Sequence, residues 1–278
     1  DKPVFKGRML KLFERGHEEE HRFNRDLRRI GIEVKEKDEK TGAQFSIEML
    51  GGHFGGNLDG IGRGFIEAPK TWHVLEYKTH NDKSFKALVK KGVKESKPSH
   101  FDQMQIYIYG MKLTRAFYLA VNKNDDTLYQ ERINHDEIHV VGLIAKAKRI
   151  INSNVPLAKI SERPDFYKCK MCDYKAVCHK EKLPERNCRT CTHSTALESG
   201  GWMCEDGKPI TLEDQKKGCP AHRFIPPLIG EAVDVVDGNV IYESNFVDKG
   251  PVRVIEKVRI KEISFMGNGG IEISGACI

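Results

Sequence analysis

The chain is 278 residues long, 39% hydrophobic, and carries 46 basic against 40 acidic residues for a net charge of +6. That apolar content fills a core and excludes wholesale disorder, and the length allows one sizeable domain with appendages. No apolar run approaches the length of a bilayer span, and the opening residues are charge-rich rather than signal-like. A soluble, cytoplasmic protein without membrane contact is therefore expected.

In chain order, residues 4–30 predict a helix, with Met9, Leu10, Phe13, Leu27 and Ile30 as its apolar positions and Gly31 as its stop. A strand over 44–50, the glycine-rich turn Gly51 to Gly56, and a strand over 57–66 follow. A turn at Pro69 and Lys70 leads to a third strand, Trp72 to Thr79, so that three strands form a meander. A lysine-rich connection ends at Pro98 and Ser99, which open a helix to about Met111 with Met104, Ile108 and Met111 facing the core. The strand pair Phe117 to Lys123 and Thr127 to Ile133 precedes a helix over 136–152, whose inner side is expected to carry Ile138, Val141, Ile144, Ala145 and Ile151. This order predicts an α/β fold, a central mixed β-sheet flanked by helices. It occupies residues 1–165, ahead of a cysteine-rich metal-binding segment (166–224) and a small C-terminal β unit (225–278).

Glu76 and Lys78 stand two apart on a predicted strand and so project from one face, with Leu75 and Tyr77 on the other. Asp59 lies seventeen positions before Glu76 on the preceding strand, and an antiparallel return sets it beside Glu76. Charges gathered on a central sheet are costly unless they pair or hold a cation. Phosphodiester hydrolysis uses such a set: hard carboxylate oxygens bind Mg²⁺ or Mn²⁺, the ion polarises phosphate and activates water, and a nearby amine orients the water or balances charge. An ordinary cross-strand salt bridge explains the same residues more simply. Three features favour the nuclease reading. Glu20 follows Gly16 on the opening helix, flanked by His17 and His21; Gln103 and Tyr107 share one helix face. Lys83, Lys86, Lys90, Lys91, Lys94 and Lys97 crowd one stretch suited to DNA phosphates.

Together these residues resemble the PD-(D/E)XK nuclease superfamily, in particular its RecB-like and lambda-exonuclease-like branch. The resemblance rests on Gly16 with Glu20, Asp59 with Gly60, Glu76-Tyr77-Lys78, and Gln103 with Tyr107, in that order, over roughly residues 5 to 150. The stretch YLAVNKNDDTLYQERI is similar to phage-encoded members. The resemblance implies a restriction-endonuclease-like core, with Asp59, Glu76 and the Tyr77 carbonyl as Mg²⁺ or Mn²⁺ ligands, Glu20 as an accessory ligand, and Lys78 assisting the water. It also implies that Gln103 and Tyr107 position the substrate or Lys78. Many RecB-like relatives carry His where Glu20 stands; here His21 is one position off.

All eight cysteines lie at or beyond Cys169, seven of them between Cys169 and Cys219, with Cys277 apart. In an intracellular chain such clustering points to metal rather than disulfides. Cys188, Cys191, Cys204 and Cys219 form a four-thiolate Zn²⁺ set. Cys169, Cys172 and Cys178 form a second group resembling the C-terminal cysteines of iron–sulfur nucleases, whose fourth cysteine lies before the core, where this chain has none. A second Zn²⁺ completed by His179 or His222, or by a shared Cys188, is the favoured reading, with an Fe–S cluster as the other.

The function expected is a Mg²⁺- or Mn²⁺-dependent exonuclease acting on DNA in phage recombination, replication or DNA degradation, with a single-strand-binding or recombination protein as a further partner. Two other readings stay open: a structure-selective or nicking endonuclease on the same fold, and a non-catalytic zinc-containing nucleic-acid-binding protein.

Overall fold

The computed structural model describes residues 5–236, 239–244 and 258–260. The described chain divides into two compact units, one ending at Lys148 and the other beginning at Arg149.

The first unit opens with helix α1 (Gly7–Arg29), then β1 (Glu33–Lys35), a hairpin of β2 (Ser46–Met49) and β3 (Phe54–Asn57), and β4 (Gly60–Arg63) and β5 (His73–His80). Helices α2 (Asp82–Ser96) and α3 (Pro98–Gly110), strands β6 (Arg115–Asn122) and β7 (Leu128–Asn134), and helix α4 (Glu137–Ile151) complete it. The five-stranded sheet runs β1-β4-β5-β6-β7, with β5 and β6 parallel and the other pairs antiparallel. It is a mixed sheet between helical layers, as expected. The meander is corrected in one respect. β2 pairs with β3 in a separate hairpin, and the short charged β1 takes the sheet edge beside β4.

β5 is covered on each side, odd and even positions alike being buried over most of its length. Leu75 and Tyr77 join Phe23 and Leu27 of α1 together with Phe65, Leu119 and Val121. On the opposite face Val74 packs with Tyr118, Leu88 and Val93 of α2, and Met104 and Ile108 of α3. Met104 and Ile108 thus face the core, with Met111 packed against it, as their spacing predicts.

The lysine-rich stretch is helix rather than loop. Asn81 caps it by accepting from the Ser84 amide at 2.9 Å, and Asp82 sits in its first turn. Gly92, at φ 72°, breaks the helix, and the Glu131 carboxylate accepts from the Val93 amide at 2.8 Å where the chain resumes. Two apolar expectations are also corrected. Leu27 of α1 is buried as expected, together with Phe23 and Asn24, whereas Met9, Leu10, Phe13 and, just past the helix, Ile30 are exposed. In α4 the buried residue is Val140, while Ile138 is 89% exposed and Val141 and Ala145 also face outward.

The second unit has small elements only. Helical turns at Tyr167–Lys170 and Lys175–Cys178 carry the first cysteine group. A three-stranded antiparallel sheet follows, with β9 (Trp202–Cys204) between β8 (Ser194–Ala196) and β10 (Pro209–Ile210). Strands β11 (Glu231–Val236), β12 (Asn239–Ser244) and β13 (Val258–Ile260) form another antiparallel sheet. Of the predicted C-terminal β unit, residues 237–238, 245–257 and 261–278, Cys277 among them, lie outside the described residues. Among the described residues no helix is long and apolar enough to cross a membrane.

Candidate active site

The even positions of β5 carry the chemistry on one face: Glu76, Lys78 and then His80. One step beyond the paired positions Gly60 and Leu75, Asp59 stands opposite Glu76. Its Oδ2 accepts from the Tyr77 amide at 2.9 Å. Glu76 is fully buried, one oxygen in contact with the Lys78 ammonium, and its Oε2 has no hydrogen-bond partner among the described residues. Burial first, and then the Asp59 and Glu20 carboxylates, push the Glu76 carboxyl up to about 7, against the opposing pull of Lys78. Burial raises Asp59 as well. Burial works against the Lys78 ammonium, but Glu76, Asp59 and Glu20 more than offset it and keep its pKa above the usual lysine value.

Glu20 approaches from α1. Burial and the neighbouring Asp59 raise its pKa, while His17 and Lys78 oppose them. Leu12, Phe13, His17, Glu20, Tyr77 and Lys78 border a cleft of about 450 Å³. The helix is held by a residue that the sequence reading passed over. Buried Asn24, one turn beyond Glu20, accepts from the Tyr77 hydroxyl at 2.6 Å. A polar residue on an otherwise apolar helix face was the available signal. His21 is turned outward, 4.0 Å from Glu36, so Glu20 rather than His21 meets the carboxylates.

From α3, Gln103 Nε2 donates to the Tyr107 hydroxyl at 3.3 Å, and that hydroxyl lies within electrostatic reach of Glu76, Asp59 and Lys78. Gly56 of β3 makes room for it: a Cβ there would sit 2.8 Å from the Tyr107 oxygen. The structure therefore gathers Asp59, Glu76, Lys78, Glu20, Gln103 and Tyr107. Of the six predicted DNA-binding lysines, five lie exposed along α2 away from this cluster. Among those, Lys86 pairs with Asp82, Lys91 with Glu95 and Lys94 with Asp136. Lys97 alone turns inward, its Nζ donating to the Ser84 carbonyl at 3.2 Å.

The donor set fits a hard divalent cation. Asp59 raises the pKa of Glu20, Asp59 and Glu20 together raise that of Glu76, and a fully buried Glu76 oxygen lacks a partner among the described residues, an electrostatic excess that a cation removes. As placed, the three carboxylates do not stand close enough to form a three-ligand site.

In the second unit all seven described cysteines are free thiols. Burial raises the Cys188 thiol, with Cys191, Cys219 and Cys204 adding to the shift. Burial likewise raises Cys178, with Cys169 and Cys172 contributing. As placed, however, no three His, Cys, Asp or Glu side chains among the described residues stand close enough to hold an ion. His222 Nε2 faces the Asn187 carbonyl at 3.1 Å and the Thr190 hydroxyl at 3.2 Å, beside the second group. His179 Nε2 is buried without a partner among the described residues.

None of the curated proteins compared matches the chain. Among solved structures, the LHK-Exo complex with dAMP is 21% identical, covering 52% of this chain and 67% of its own at a TM-score of 0.39. The alkaline exonuclease LHK-Exo from Laribacter hongkongensis is 22% identical, covering 49% and 68% at a TM-score of 0.35. The family model of the PD-(D/E)XK nuclease superfamily matches residues 4–179, so the chain belongs to that superfamily.

Proposed function

We propose that this protein is a Mg²⁺- or Mn²⁺-dependent deoxyribonuclease, an exonuclease hydrolysing DNA from an end, in phage recombination, replication or DNA degradation. The supporting observation is the meeting of Asp59, Glu76 and Glu20 around Lys78, with one buried Glu76 oxygen left unpartnered. Asp59, Glu76 and the Tyr77 carbonyl would hold the ion, with Glu20 as accessory ligand. When bound it supplies Lewis-acid polarisation of phosphate and activation of water. Lys78, kept protonated by the surrounding carboxylates, donates to the attacking water or to a phosphoryl oxygen and balances developing negative charge. Gln103 orients the Tyr107 hydroxyl, which Gly56 admits beside the carboxylates. End-dependence is proposed from the likeness of the ordered motifs to the lambda-exonuclease-like branch.

The test is incubation of linear, nicked and circular DNA with Mg²⁺, using wild type beside Lys78→Ala. We expect degradation of linear DNA alone and a loss of about 10³-fold or more in the variant. Cleavage of covalently closed circles would replace the exonuclease by an endonuclease. Absence of any Mg²⁺-dependent cleavage would leave a nucleic-acid-binding protein.

A structural Zn²⁺ is also proposed for Cys188, Cys191, Cys204 and Cys219, supported by their ligand-type spacing and their reduced state in a unit with little apolar core. Emission spectroscopy on the purified protein tests it; less than one zinc per chain would reject it.

A further inference from the structure

Beside Lys78 lies a polar chain that the hydrolytic scheme does not use. His80 Nδ1 is 3.1 Å from the Ser84 hydroxyl, its Nε2 is 2.9 Å from the Tyr118 hydroxyl, and that hydroxyl is 3.0 Å from His100 Nδ1. The two imidazoles stack at 5.9 Å. Tyr118 is completely buried between them, on the strand position facing Glu76. His100 is only half-buried, and its Nε2 has no protein partner among the described residues. Burial, helped by nearby cations, pulls both imidazoles down to about 4, so they are neutral at physiological pH.

Ammonium groups act on the two rings, while the Glu76 and Glu131 carboxylates act on the Tyr118 hydroxyl between them. Lys78 and Lys97 act on both rings, and Lys123 acts on His80. Lys97 has no carboxylate partner among the described residues, and burial lowers its pKa. Lys78 is already paired with Glu76, so Lys97 is the ammonium of this corner without a counter-charge, next to an uncharged imidazole whose Nε2 is unpartnered among the described residues. An anion supplies the counter-charge that Lys97 lacks. The hydrogen-bond chain has one order that ends in a donor: Ser84 to His80 Nδ1, His80 Nε2 to Tyr118, Tyr118 to His100 Nδ1, leaving the proton of His100 on Nε2.

From this arrangement we infer that Lys97 and His100 form a phosphate subsite, binding a non-bridging oxygen of the DNA phosphate adjacent to the scissile one. His80 and Tyr118 are positioning residues that fix the His100 ring. The inference rests on the nuclease reading and goes beyond it, by separating a strand-holding corner from the hydrolytic cluster.

The experiment is steady-state kinetics of Lys97→Gln, His100→Asn and Lys97→Arg on linear DNA with Mg²⁺. A parallel series carries one methylphosphonate at a linkage flanking the cleavage point, on either side in turn. Lys97→Gln and His100→Asn should each raise KM by about tenfold, the scale of one charge-assisted hydrogen bond, with kcat held within about twofold. Lys97→Arg should restore KM. On one side the methylphosphonate should weaken the wild type similarly and add nothing further in Lys97→Gln. An unchanged KM in both variants, or full additivity at both linkages, overturns the subsite. A wild type that does not cleave overturns the nuclease reading instead. The subsite is then read from metal-free binding of the same DNA, where equal affinity of wild type and Lys97→Gln rejects it.

Discussion

The catalytic unit buries Leu58, Val74, Leu75, Leu88, Met104 and Tyr118 completely, whereas buried side chains of the cysteine-rich unit include Cys169, Cys191, Thr192, Gln215 and His222. In the first, apolar area removed from water fixes a sheet, and the sheet then places charges at set positions. In the second, short strands and knuckles lack that area, and thiols occupy the places where aliphatic residues would pack. One unit is stabilised by burial and can carry a costly acidic cluster. The other has little such core, and the proposed zinc would supply what burial does not.

The largest expected effect tests that contrast directly. Cys188→Ser, or a strong chelator, should abolish the calorimetric transition of the second unit and leave that of the first in place. Apparent zinc-binding free energies of about 10 kcal/mol or more exceed what so small a core provides. One unaltered unfolding profile in the variant would erase the distinction. Next in size is Gly56→Ala, whose added Cβ meets the Tyr107 oxygen. It should lower kcat by about tenfold with folding retained, since small misplacements at a reacting centre are amplified. Unchanged turnover would remove Tyr107 from the machinery.

A smaller effect concerns the cost of the acidic cluster. Because the folded-state pKa of Glu76 lies above its unfolded value, the native state holds the extra proton between about pH 4.5 and 7. Without divalent ions, the first unit should therefore lose stability as pH rises through that window. Glu76→Gln should flatten the dependence and raise the metal-free midpoint at neutral pH by about 4 °C. A melting profile insensitive to both pH and substitution would show that Glu76 is not strained by its charge. The smallest effect belongs to the outer face of α2. Replacing Lys83, Lys86 and Lys90 together by Gln should reduce the salt slope of DNA binding by at most about 0.9 per lost contact and leave kcat alone. An unaltered slope would assign the phosphate contacts elsewhere.

Much of the sheet and its acidic pair was legible because the strand period of two places Glu76 and Lys78 together without knowledge of any distant contact. Asp59, one antiparallel return away, needed only a turn. His80, Tyr118 and His100 were not legible as a set, since their sequence separations follow no helix or strand period and three elements bring them together. Helix α2 was obscured by its lysines and by the break at Gly92. Ile138 and Val141 misdirected the reading of α4, where helical spacing is satisfied by an exposed stripe as well as by the one centred on Val140. The cysteine spacing divides two groups but gives no sign that His222 faces Asn187 and Thr190.

The Asp59 carboxylate takes the Tyr77 amide proton just where β4 begins, so a side chain acts as a surrogate peptide carbonyl. A single oxygen pair thereby closes the edge of the ladder while also facing the reaction centre. Truncation to alanine would unzip that corner and confuse architecture with chemistry. Asparagine keeps an acceptor in the same place and removes only the charge, which makes Asp59→Asn the cleaner probe of what the acid does.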